Sequence, residues 1–156
     1  MKIIEPWNTI ISYWKAMNIP IRQGVSSVAI QEFQDRYKVL LPADFLDYIR
    51  IVDGTGINES DENLSSFLPL AAIRPVHEVL DDSEGFIYSD RFAYPDCYVF
   101  VDHFFSSWFY AIQMTADAAC PGAVYRVTAS EIFGEMEAAS FHEFMENYAK
   151  DPLNIL

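Results

Sequence analysis

The apolar positions change their period along the chain. Trp7, Ile10, Ile11, Trp14 and Met17 recur every three or four residues and fall on one stripe. That spacing predicts an amphipathic helix over about 6–18, packed by its aromatic face. Pro6 suits the first turn, where its missing N–H costs nothing, and Asn18 with Pro20 is expected to end the helix. A second helix should begin after Ser26 or Ser27, either of which can cap it. Ile30, Phe33 and Tyr37 mark its buried side, with Gln34 at the edge. In "LPADFLDYIRIVDG", Leu41 precedes proline and is biased to an extended backbone. Pro42 is expected at the first position of a third helix, with Asp44 near the positive end of its dipole. Phe45, Ile49 and Val52 repeat at i, i+4 and i+7, and Gly54 is expected to supply the left-handed residue that closes the helix.

Beyond Gly54 the pattern shifts. "TGINESDENLSS" is a polar, acidic loop, "FLPLAAI" reads as a short strand made irregular by Pro69, and "PVHEVLDDSEG" as a helical turn or loop. "CYVFVDH", "SWFYAIQM" and "AVYRVT" are rich in aromatic and β-branched residues and read as strands. "FFSS" suggests a hairpin connection, and "TADAACPG" a turn. Ser140 and Glu143 form an S-x-x-E capping box ahead of a last helix, with Phe141, Phe144, Met145 and Tyr148 on one face and Pro152 as its stop. Helices, then strands, then a helix predict an α+β fold, not a parallel βαβ array. The expectation is an antiparallel central sheet packed with N-terminal helices and a C-terminal helix.

Composition fits this. The 156 residues are 51% hydrophobic and 15% aromatic, enough for the packed core of a single domain over 1–156. No run of 18 apolar residues suggests a membrane span, and "MKIIEPWNTIISYWKAMN" lacks the features of a signal peptide. The cytoplasm is the expected compartment. Cys97 and Cys120 are too few and too far apart for a disulfide scaffold or a metal motif, and are expected to be reduced.

Charge narrows the class further. Ten Lys and Arg against 23 Asp and Glu leave a net charge of −13. Such a surface repels nucleic acid and anionic membranes and attracts basic partners, although plain solubility is the simpler reading. The acids are concentrated. Residues 53–90 carry nine of them against Arg74 alone, and a second group, Glu131, Glu135, Glu137, Glu143 and Glu146, has no Lys or Arg between its members. The bases gather earlier, at Arg22, Arg36, Lys38 and Arg50.

Candidate chemistry is sparse. Asp102 and His103 beside Ser106 and Ser107 are the best catalytic candidates, but neighbours along a strand point to opposite faces. His77 and His103 are isolated, and "SDENLSS" lacks the glycine and final Glu of an EF-hand loop, so no metal is expected. "DGTG" lacks the lysine of a phosphate loop. No cofactor is implied.

"IQEFQDRYKVLLPADFLDYIRIVDGTG" resembles the N-terminal signature of the SMI1/KNR4 (SUKH) superfamily: an amphipathic helix, a "Y-x-V-x-LP" passage, and a "D-[FY]" helix ending in "[ND]G". Ile30, Phe33, Tyr37, Leu41, Pro42, Asp44, Phe45 and Gly54 carry the match. Asp53 stands where Asn is common. "FLPL", "YVFVD", "WFYAIQM", "AVYRV" and "SFHEFMENY" extend the resemblance, in order, over about 26–152. The resemblance implies a scaffold without known catalytic residues. Many bacterial members are immunity proteins that block a cognate polymorphic or contact-dependent toxin, often a nuclease. Others are regulatory interaction scaffolds, which is the alternative expectation here. Combined with the charge, it points to Glu59, Asp61, Glu62, Asp81, Asp82 and Glu84 as the surface facing a basic toxin. Exposed aromatics could serve a homodimer or that partner. An enzyme using Asp102 and His103, or a cysteine, is the third and least supported reading.

Overall fold

The computed structural model describes residues 5–55, 65–81, 96–103, 108–128 and 135–150. Three helices come first: α1 (Pro6–Ala16), α2 (Ser27–Tyr37) and α3 (Ala43–Ile51). Their ends are set locally. Ser26 caps α2 by accepting the Ala29 N–H at 3.2 Å, and Lys38 closes it in the left-handed conformation. Gln34 accepts the Leu41 N–H at 3.0 Å, which fixes the extended link into α3. Two boundaries differ from the sequence reading. α1 stops at Ala16, so Met17 is its cap and lies 41% exposed instead of joining the buried stripe. Pro42 has an extended ψ and precedes the first helical residue, while its carbonyl accepts the Leu46 N–H at 2.8 Å.

The end of α3 is a larger correction. Val52 leaves the helix by becoming extended and bridging Gln23, and the Asp53 N–H donates to the Arg22 carbonyl at 3.0 Å. Gly54 comes two residues past that cap. Its φ is +69°, as expected of a left-handed glycine, but its role is close approach. A Cβ there would collide with the Phe67 carbonyl. Next to it, the Thr55 N–H donates to that same carbonyl at 2.9 Å, and the Thr55 hydroxyl accepts the Phe67 N–H at 3.1 Å.

The sheet is antiparallel and has six strands among the described residues: β1 (Ser65–Phe67), β2 (Arg74–Pro75), β3 (Cys97–His103), β4 (Trp108–Gln113), β5 (Val124–Thr128) and β6 (Glu135–Ala138). The order is β1-β3-β4-β5-β6, and β2 pairs with the other end of the β3 edge taken by β1. A 3-10 turn, Leu70–Ala72, separates β1 from β2 after Pro69, and a short helix α4 (Val76–Asp81) follows β2. The helix α5 (Phe141–Lys150) completes the order. β6 was not foreseen. Its sequence, EMEA, alternates polar and apolar positions but is only four residues long and lacks the β-branched and aromatic residues that mark a strand.

Period-two alternation divides the sheet between two cores. On one face Tyr98, Phe100, Tyr110, Ile112 and Val124 pack with the buried residues of α1, α2, α3 and α5. On the other, Cys97, Val99, Phe109, Ala111, Tyr125 and Val127 pack with Val76, Val79 and Leu80 of α4. A bulge in β3 lets Phe100 enter between paired residues Val99 and Val101. Its ring centroid lies 5.4 Å from Phe144, 5.9 Å from Phe141 and 6.1 Å from Phe45.

Replacing Gly54 with Ala should lower stability by roughly 2–4 kcal/mol, the sum of left-handed strain and overlap with β1. Urea unfolding measures this. An unchanged midpoint would show that β1 can move away from residue 54.

Candidate partner-binding surface

Of the six acids expected to face a partner, Asp81 is the last residue of α4. Glu59, Asp61, Glu62, Asp82 and Glu84 lie outside the described residues. The second acidic stretch is different from its sequence appearance, because three of its members, Glu137, Glu143 and Glu146, have structural partners. Glu137 lies 3.6 Å from the Arg126 Nε across the β5–β6 pair. Glu143 completes the cap of α5: its N–H donates to the Ser140 hydroxyl at 3.1 Å, and its carboxylate accepts the Ala139 N–H at 3.0 Å, one residue earlier than in the usual box. Glu146 lies 3.7 Å from both His142 and Lys150.

Asp44 has a wider role than its place in the first turn of α3 suggests. One oxygen accepts the Phe45 N–H and the other accepts the His142 N–H, both at 2.8 Å. The second bond joins the start of α3 to the start of α5, 98 residues apart in sequence. Burial pushes the Asp44 carboxyl above its usual range, and these backbone donors pull it back.

Of the catalytic candidates, Ser106 and Ser107 lie outside the described residues, and His103 and the cysteines sit in structural settings. His103 is buried at the β1–β3–β4 junction, where its Nδ1 lies 2.8 Å from the Ser65 hydroxyl and its ring lies 4.1 Å from that of Trp108. Both cysteines are free thiols. Burial, and then the nearby Asp96 and Cys120, push the Cys97 thiol up to about 12, so it is a poor nucleophile at neutral pH. Among the described residues, no group of three or more His, Cys, Asp or Glu is placed to hold a metal ion. No described helix is long and apolar enough to cross a membrane.

A groove of about 400 Å³ separates α2 from the 3-10 turn. Phe33, Leu70 and Ile73 supply its apolar lining, Tyr37 an aromatic wall, and Glu32 and Asp53 two carboxylates. Phe33, Tyr37 and Tyr98 form an aromatic triangle with centroids 4.9, 5.3 and 5.9 Å apart, which holds the Tyr37 wall in place. Asp53 accepts the Leu70 N–H at 2.6 Å and so fastens the 3-10 turn to the end of α3. Sequence reasoning missed this groove, since its two sides come from segments that only the fold brings together.

Burial lowers the pKa of His103 from its ordinary value, outweighing the nearby Asp102, which raises it. The unfolded chain therefore takes up the proton first as pH falls. No penalty is present well above the unfolded value of about 6.5, and stability falls as pH drops below it until the folded form also protonates. The stability difference between the native protein and a His103→Gln variant should narrow from pH 7.5 to 5.5. Urea midpoints at the two pH values test this. A constant difference would mean that His103 titrates alike in both states.

Comparison with curated proteins returns no match. The family model of the SMI1/KNR4 family (SUKH-1) matches residues 24–147, a span running from the residues before α2 through most of α5 and containing the whole sheet. Through that span, the chain belongs to the SMI1/KNR4 (SUKH-1) family.

Proposed function

We propose that this protein is a non-catalytic immunity protein that binds and neutralises a cognate basic toxin, with a nuclease as the favoured class. The observation that carries the reading is a net charge of −13 on a SUKH-1 scaffold, with nine acids against one base over residues 53–90. A nuclease must present Lys and Arg to phosphates, and a carboxylate-rich surface can engage those side chains and hasten encounter. The setting of His103 favours a binding role over a catalytic one. Its ring is buried between Ser65 and Trp108, and burial disfavours its protonated form.

The first test is protection. The protein is co-expressed with the toxin domain encoded beside it, and surviving cells are counted. Rescue with co-purification of the pair is the expected result. No rescue and no complex would overturn the reading for that toxin and favour a regulatory scaffold.

The proposed surface has its own test. Neutralising Glu59, Asp61, Glu62, Asp81, Asp82 and Glu84 together, to Gln or Asn, should slow association by about tenfold at low salt and flatten its salt dependence. Stopped-flow mixing with the toxin measures both. Unchanged rates would remove these six residues from the interface.

A further inference from the structure

The groove between α2 and the 3-10 turn presents two carboxylates, Glu32 and Asp53, to an incoming group. Asp53 is only 16% exposed by side chain, and the Leu70 N–H satisfies one of its oxygens at 2.6 Å. The other oxygen has Arg22 Nε at 3.9 Å, beyond hydrogen-bond distance, from a side chain that is 56% exposed. Among the described residues, no donor lies within hydrogen-bond reach of that oxygen. Burial pushes the Asp53 carboxyl upward, the direction expected of a carboxylate that has lost water without full replacement. Glu32, on the α2 side, has no ion pair or hydrogen bond among the described residues. Arg36 lines the same groove one helical turn later, yet its guanidinium lies over the Tyr37 ring, 5.2 Å from the centroid, with no ion pair to either acid.

Two carboxylates beside apolar side chains and an aromatic wall suit a cation on an apolar stem. An acidic group would meet Glu32 and Asp53. A second copy of this chain would bring a net charge of −13 against another −13. Arginine fits better than lysine, because its planar fork can donate to two carboxylates, is weakly hydrated and stacks on aromatic rings.

We propose that this groove seats an arginine side chain presented by a protein partner, with the guanidinium donating to Asp53 and Glu32 and the methylene stem lying on Phe33 and Leu70. The partner's identity as a basic toxin rests on the immunity reading, whereas the groove's preference for arginine does not.

The test is an NMR titration of the ¹⁵N-labelled protein with N-acetyl-arginine amide, and with the corresponding glutamate amide as control. Arginine should shift the amides of Ala29, Leu70 and Ala71. In a Glu32→Gln/Asp53→Asn double variant, binding should weaken at least tenfold. The amide introduced at position 53 keeps an acceptor for the Leu70 N–H, and residue 32 is exposed, so the fold should persist, as an otherwise unchanged spectrum would verify. Absence of localised shifts, equal shifts in the double variant, or equal shifts with glutamate would overturn the proposal.

A second arm uses the toxin. The double variant should bind it at least tenfold more weakly than the native protein. Equal binding would overturn the groove as the docking point while leaving the immunity reading standing. A groove that takes arginine in a protein that neither binds nor rescues the neighbouring toxin would support the groove chemistry and sink that partner.

Discussion

β3 pairs with β1 and β2 along one edge and with β4 along the other, and the rest of the molecule is positioned from it. Of its seven residues, all but Asp102 are buried. A strand flanked on both edges and covered on both faces must satisfy its backbone through the ladder and its side chains through two separate cores. The bulge at Phe100 reconciles these demands. The extra residue turns Phe100 and Val101 into the helix-side core, while Val99 remains with the core under α4. Phe100 then contacts α3 and α5 at once through Phe45, Phe141 and Phe144, so the packing of both helices is referred to one strand.

A small set of half-buried polar links adds direction to that packing. Hydrophobic burial is not directional, so it leaves the placement of helix ends poorly defined. Asp44 fixes the start of α5 against the start of α3, Gln34 fixes the approach to α3, and Asp53 fixes the 3-10 turn against its end. Each donor is a backbone N–H that would otherwise be left without a partner, which makes loss of the side chain more damaging than the bond itself suggests. Asp53 belongs to two systems. It is a tie within the fold, and it leaves one carboxylate oxygen at the groove.

The net charge of −13 is therefore not one undifferentiated feature. Glu137 pairs with Arg126 of β5, Glu143 with Ala139 and Ser140 ahead of α5, and Glu146 with His142 and Lys150 within α5, so the acidic run near the C-terminus contributes to capping and pairing. Glu32 and Asp53 belong to the groove instead. A carboxylate already holding a cation or an N–H offers less to an incoming partner, so the acids of the chain are not electrostatically equivalent; Asp53 is held through one oxygen by the Leu70 N–H and keeps the other at the groove.

The order of residues was enough to specify α1, α2, α3 and α5, the long strands and the α+β class. Its signals there are local: the aromatic stripe of α1, Ser26 ahead of α2, the Ser140–Glu143 pair ahead of α5, and β-branched and aromatic runs for β3, β4 and β5. It also carried enough ordered apolar and cap positions to reveal the family. The rest depends on the folded arrangement. β6 is a polar segment that becomes a strand only because β5 offers it an edge. Gly54 is needed because the Phe67 carbonyl arrives beside it, not because α3 has to end there. The groove joins Glu32 on α2 to Asp53 and Leu70, and the Asp53–Leu70 bond alone spans 17 positions. Periodicity reports which face of a segment is apolar. It cannot report which distant backbone or carboxylate will stand opposite, because that follows from the packing of the whole chain.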